Sequence, residues 1–340
     1  MRTIEARSFV AASGGTARAA LPQAPVGRDA AEGFAPVLHL IDLPRFEAGE
    51  AESFARAAAF ADPWRPMLLS SSASHEGYAP RVGLDQPARM GVLAEALPGG
   101  VSGRFDHGHA LVADIHFGSL ASAPAPAVLN GENRLAVRSA AGGWEVLSYL
   151  YAEEISAGRW RLTGLLRGLA GTEDQMRAGS IAGAAIVHLD AAVVPLGLAV
   201  DAAGQAFNWI AETPGRRPYG PVVFTGGLRA AMPLAPVHLS ARKTAGGDVQ
   251  LRWIRRSRID ADHWLGGDIP LDEPVEAYRV EILDGPEAVR TMEVTQTSCL
   301  YASSMMLADF GGPVSSLAFR VRQKGGKVPL GLAAETSIPL

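Results

Sequence analysis

The stretch Trp160-Arg-Leu-Thr-Gly-Leu-Leu-Arg-Gly-Leu-Ala-Gly-Thr-Glu173 begins as a strand and ends as something else. Trp160, Leu162 and Gly164 alternate onto one face, as a strand requires. The alternation then gives way to Gly164, Gly168 and Gly171, with Arg167 set between apolar neighbours. A plain core strand has no use for so much glycine, and a plain loop none for so much leucine. The segment therefore reads as a strand running into a tight, partly buried elbow. Its polar groups, Arg161, Arg167, Thr172 and Glu173, need partners inside the fold or on another subunit. Arg167 is expected to tie the turn through a carboxylate or backbone carbonyls.

The bulk composition supports a β-rich setting for this elbow. At 340 residues the chain is long enough for two or three domains, each with its own core. Its charged fraction of 19% is below the usual quarter, and 38 glycines and 23 prolines make up much of the difference. That composition suits short strands joined by many turns. A net charge of −4 argues against a large nucleic-acid footprint. Cys299 is the single cysteine, so the chain has no internal disulfide and no cysteine-built zinc site; Cys299 reads as a small buried hydrophobe. No long uninterrupted apolar run predicts a membrane span, and no signal peptide is evident.

Outward from the elbow, strands are expected at 110–117, 127–129, 134–139, 145–152 and 159–166, with Asn130-Gly131 and Ala141-Gly-Gly143 as turns. Spacing of this kind predicts an all-β sheet closing into a barrel or sandwich. Upstream, Val37 to Pro44 and Met67 to Ser72 read as strands, and the Ala/Glu/Phe stretch 50–61 as a helix stopped by Pro63. Downstream come a helical turn at 174–178, strands at 184–189, 196–200 and 206–210, and a basic, kinked connector at 215–221. Residues 1–35 read as a linker or arm.

The last hundred residues carry the plainest pattern. Val249, Leu251 and Trp253 alternate, as do Tyr278, Val280 and Ile282, and Leu317, Phe319 and Val321, with polar residues between. Six or seven such strands predict a fibronectin III-like β-sandwich with Trp253 as a large core residue. The expected organisation is an arm at 1–35, a β-rich domain at 36–220, a linker at 221–235 and the sandwich at 236–340.

No constellation points firmly to catalysis. Asp106-His107-Gly-His109 with Asp114-Ile-His116 has metal-ligand residue types, and the bland alternative is polar positions along one hairpin. Ser70-Ser-Ser-Ala-Ser-His75 pairs serine with histidine but lacks a nucleophile elbow. Phe224-Thr-Gly-Gly-Leu-Arg-Ala230 lacks the lysine of a phosphate loop and reads as a turn. Glu153, Glu154 and Glu132 read as solvated carboxylates. Arg255, Arg256 and Arg258 are taken as exposed cations able to meet an acidic partner or polysaccharide. Trp144, Trp160, Trp209 and Trp264 offer stacking platforms for a glycan under a second reading, a carbohydrate-binding module. A metal-dependent hydrolase using His107, His109, Asp114 and His116 is a third. The first expectation is a protein that is not an enzyme and uses no cofactor.

Leu162 to Glu173, Leu251-Arg-Trp-Ile-Arg-Arg-Ser-Arg-Ile-Asp260, and Leu40 to Pro44 followed by Asp62-Pro-Trp-Arg-Pro66 together resemble one family. Leu129 to Ala136, Trp144-Glu-Val, Asp268 to Leu271, Glu276 to Leu283 and Ala308 to Gly311 extend the likeness in the same order. These stretches resemble the carboxy-terminal part of the tail-tip proteins, baseplate hub and host-specificity, of alphaproteobacterial gene transfer agents and related siphophage-like prophages. The resemblance implies a structural component of a phage-like tail tip, assembled in the bacterial cytoplasm and carried in the virion tail. It implies tail-tip and tail-tube partners, a homo-oligomer, and contact with host-surface polysaccharide. The cell-wall hydrolase domain that the family often carries upstream has no counterpart in the matched portion. Trp160, Gly164, Arg167, Gly168, Gly171, Thr172 and Glu173 then become a structural motif of the hub domain.

Overall fold

A computed structural model describes residues 35–46, 55–258 and 269–340. The arm expected before residue 35 and Trp264 fall outside them. The strands before the elbow are β1 (Val37–Asp42), β2 (Ala55–Phe60), β3 (Met67–Ser72), β4 (Ala79–Leu84), β5 (Met90–Leu93), β6 (Leu111–Ile115), β7 (Arg134–Arg138), β8 (Trp144–Ser156) and β9 (Arg159–Leu166). After it come β10 (Ala185–His188), β11 (Val194–Pro195), β12 (Ala206–Glu212), β13 (Tyr219–Thr225), β14 (Val237–Lys243), β15 (Val249–Ile254), β16 (Tyr278–Asp284), β17 (Glu287–Val294), β18 (Ser298–Tyr301), β19 (Ser316–Gln323) and β20 (Ala333–Pro339). Among the described residues three short α-helices accompany them: α1 (Ala125–Leu129), α2 (Glu173–Ala178) and α3 (Ser303–Phe310). The molecule is mainly β, and no described helix is long and apolar enough to cross a membrane.

Six antiparallel strands close a small barrel in the order β10-β5-β6-β9-β8-β7. Its interior holds Leu93, Leu111, Ala113, Leu135, Val137, Leu147, Tyr149, Trp160, Leu162, Leu165 and Ile186. A barrel leaves no open edge, which lets these short strands be stable. Leu162 and Leu165 both point inward although three residues apart. The alternation slips by one step at Gly164, which has φ +64°, so Leu165 takes the inward place expected for the glycine. A Cβ there would lie 2.8 Å from Leu150 Cδ1, so the slip needs glycine for both conformation and room.

The sheet β1-β2-β11 lies against the barrel wall, and β13-β12-β3-β4 covers its far side. Ile41, Leu43 and Ala58 pack on Met90, Ala136, Trp144, Val146 and Val187 of the barrel. Leu40, Ala55, Ala57 and Ala59 pack on Met67, Leu69, Trp209 and Ala211 of the outer sheet. Residues 55–60 are thus a strand and not the expected helix. Alanine favours a helix when nothing else decides, but here it is the residue small enough for a middle layer pressed from both faces. Residues 125–129 are a helix and not the expected strand, with Pro124 at the N-cap and Pro126 in the first turn, where a missing N–H costs nothing. No strand forms at the expected 196–200: the two-residue β11 ends before it and a 3₁₀ turn begins at its last residue, while the connector at 215–221 runs into a true strand, β13.

The C-terminal strands form two sheets, β14-β15-β18 and β17-β16-β19-β20, around one core. That pairing of a three-stranded with a four-stranded antiparallel sheet is a fibronectin III-like sandwich. Trp253 is buried in it, edge-on to Tyr278 at 5.2 Å between ring centroids. Cys299 is buried beside Met292.

Candidate functional site

Arg167 leaves the end of β9 and turns inward rather than out. Its side chain and that of Glu145 on β8 are both fully buried. Arg167 Nε donates to Glu145 Oε1 at 2.6 Å and Nη2 to Oε2 at 2.8 Å, a two-pronged pair. Nη1 donates to the Pro98 carbonyl at 3.1 Å, and the Gly168 N–H to Glu145 Oε1 at 3.2 Å. Burying two charges is favourable only with such complete hydrogen bonding. The pair fixes three things at once: the strand end, the elbow and the loop from Pro98.

That loop is laid along the elbow by a bridge between Ser102 and Arg167 and by a reciprocal pair between Asp106 and Leu165. Asp106 then folds its carboxylate back on the Gly108 and His109 N–H groups and takes a 2.8 Å bond from His109 Nδ1. Burial alone would raise the Asp106 pKa, but these donors outweigh it and hold the carboxyl below its usual range.

Beyond Arg167 the chain takes left-handed conformations at Gly168, Ala170 and Gly171. At Gly171, φ +81°, a Cβ would sit 2.2 Å from Leu234 Cδ2, so the linker to the sandwich packs directly on the bare backbone. Thr172 is buried, donating to the Leu169 carbonyl at 2.8 Å and accepting from Val146 N–H at 3.0 Å. Glu173 and Asp174 open α2, where negative charge is favoured. Glu173 pairs with Arg256 of the sandwich at 2.8 Å, and Asp174 takes both arms of Arg229, which also binds the Gly171 carbonyl. The residues 160–173 therefore run from the barrel core to the seat of the sandwich. A cleft of about 700 Å³ lies there, lined by Leu169, Gly171, Leu234, Arg229, Arg256 and Arg258 among others.

This placement corrects the expectation for the arginine run. Arg256 reaches Glu173, Arg258 reaches Asp272 at 2.9 Å and Glu273 at 2.6 Å, and Arg255 reaches the Ile269 carbonyl and Glu276. All three are half-buried and engaged within the chain, not held out to solvent. Their carboxylate partners are remote enough in sequence, or across the junction, that the run itself gave no sign of them.

The other candidates are dispersed. His109 is held by Asp106, Asp114 by both arms of Arg159, and His116 stacks on Phe60 at 5.6 Å between ring centroids. Among the described residues no three His, Cys, Asp or Glu side chains are grouped to hold a metal. Ser70 is buried and donates to Glu212, while His75 is exposed. Asp42 accepts from the Gly227 and Arg229 N–H groups, so the 224–230 turn is closed on a carboxylate. Burial nonetheless raises the Asp42 pKa. Glu132 and Glu153 are exposed, and Glu154 accepts from Gly158 N–H. Trp144, Trp160 and Trp209 are buried, which removes them as stacking platforms for a glycan. His39 edges against Trp144, and burial, with Arg138 and His116 nearby, pulls its imidazole from 6.5 to about 4.

Two comparisons bear on these features. The model of a family described as Rcc01698-like, C-terminal, a name associated with gene transfer agents, matches residues 88–187. The matched residues begin just before β5 and end within β10, so they are the barrel and the elbow. The FN1–FN3 domains of chicken CNTN1 align over 90% of this chain and 97% of theirs at 9% identity, with a TM-score of 0.24, too low to bear on the arrangement. No curated protein matches.

Proposed function

We propose that this chain is a structural component of the tail tip of a phage-like gene transfer particle, with the sandwich turned toward the host surface. The observation that carries this reading is the family match, which spans the barrel residues 88–187 and bears a name associated with gene transfer agents. Two features of the site support it. The elbow's chemistry is turned inward, as in an architectural joint, and the residues once open to a catalytic reading are held in separate local contacts. The barrel and the sandwich are also tied by an ion pair and by direct packing on Gly171, which suits a part that must transmit position through an assembly. In this reading the protein is not an enzyme, its partners are tail-tip and tail-tube proteins and further copies of itself, and it resides in the virion tail.

The test is localisation on purified particles. An epitope-tagged chain should co-sediment with particles and carry immunogold label at the distal end of the tail, and its deletion should leave tails without a finished tip. Particles that assemble completely and infect normally without the chain would sink the proposal.

A further inference from the structure

The two sheets of the sandwich present different electrostatics to solvent, one of mixed and paired charge and one without carboxylates. On β16, β17, β19 and β20 cations and carboxylates alternate. Arg279 pairs with Glu293, Lys324 with the same Glu293, and Arg320 with Glu281 and Glu335, while Arg322 stands beside them. Strands β14, β15 and β18 read VHLSARK, VQLRWI and SCLY, and contain no aspartate or glutamate. Leu239, Ala241, Val249, Leu251, Trp253, Cys299 and Tyr301 point into the core, so alternation sends Ser240, Arg242, Gln250, Arg252, Ser298 and Leu300 outward. Arg242, Lys243 and Arg252 are exposed. Among the described residues no ion pair joins any of the three to a carboxylate. The nearest acidic side chain on the hairpin, Asp248, accepts the Ser303 N–H instead.

The register fixes the spacing. Ser240 lies opposite Arg252 and Arg242 opposite Gln250, so the two arginines are diagonal neighbours on adjacent strands, about 7–8 Å apart. Ser298 continues the Arg252 row on β18 and Leu300 the Gln250 row. The result is a face with two guanidinium forks, Arg252 being flanked across the strands by the hydroxyls of Ser240 and Ser298.

We propose that this face binds an acidic polysaccharide, a polymer whose carboxylates meet Arg242 and Arg252 and whose hydroxyls meet Ser240 and Ser298. Guanidinium forks match carboxylates in two-pronged geometry. No Phe, Tyr or Trp side chain lies on the outer face, so it lacks the row of large stacking platforms that single-stranded nucleic acid uses. In a chain of net charge −4, a face with cations and no carboxylate is a local exception that can orient a polyanion. The inference deepens the host-surface part of the proposed function, and rests on it only for where such a polymer would be met.

The full chain is titrated with polygalacturonate, with dextran as the neutral polymer, and with polyglutamate and a single-stranded oligonucleotide as alternative polyanions. The expected result is saturable, salt-sensitive binding to polygalacturonate that exceeds all three others. The double variant Arg242→Glu/Arg252→Glu should weaken it by about tenfold or more, with melting unchanged because both side chains are exposed. Arg104→Glu, an exposed cation on the barrel, should leave it intact. If reversal costs stability, Arg242→Gln/Arg252→Gln supplies the same comparison with neutral side chains. Equal binding by wild type and the double variant overturns the proposal, as does a preference for polyglutamate or the oligonucleotide. Incorporation into particles reports on the assembly role separately, since these side chains lie away from the barrel.

Discussion

Arg167 shows how a single side chain can look functional and be architectural. Its guanidinium and the Glu145 carboxylate have no solvent exposure, and the two-pronged pair they form compensates both charges. Removing one partner leaves a buried charge behind. Arg167→Ala is therefore expected to destabilise the protein by about 3–5 kcal/mol, read as a lower midpoint in urea with the slope unchanged. The double variant Arg167→Met/Glu145→Leu replaces both charges with apolar atoms of similar volume and is expected to recover most of that loss. A double variant no more stable than Arg167→Ala would show that the loss comes from something other than the stranded carboxylate. Sequence reading could see that Arg167 needed a partner, because it is flanked by leucine and glycine. It could not see which one, since Glu145 lies 22 residues away on the neighbouring strand.

At the scale of elements, legibility follows how many faces are buried. Strands β15, β16 and β19 have one face in the core and one in water, and their period-2 alternation was readable from the chain. Strand β2 has both faces covered and is mostly alanine, so its periodicity disappears and helix propensity misleads. The phase of β9 was readable only as far as Gly164, where a left-handed residue shifts the inward set by one. Ala57 gives a test of the layered reading. It is fully buried between the middle and outer sheets, so Ala57→Leu is expected to cost about 1–3 kcal/mol by overpacking. A helix with Ala57 on a solvated face would tolerate leucine, so an unchanged melting temperature would contradict the layered arrangement.

For the whole molecule, the sandwich and the barrel were foreseen in kind, and the joint between them was not. The ties that make it, Glu173 to Arg256 and Leu234 on Gly171, join residues 83 and 63 positions apart, respectively. Neither end of such a contact differs in composition from an ordinary surface charge or an ordinary linker leucine. The middle sheet has a further consequence, for how the chain can be divided. The family match at 88–187 outlines the barrel neatly, yet the barrel's flank of Met90, Ala136, Trp144, Val146 and Val187 is covered by Ile41, Leu43 and Ala58 from outside those limits. A fragment cut at the matched boundaries would carry a bare apolar flank into water. It is expected to aggregate on expression, whereas a fragment beginning at Ala35 and ending at Leu234 should remain monodisperse in gel filtration. The recurring module recognised across a family is here smaller than the piece that can live alone.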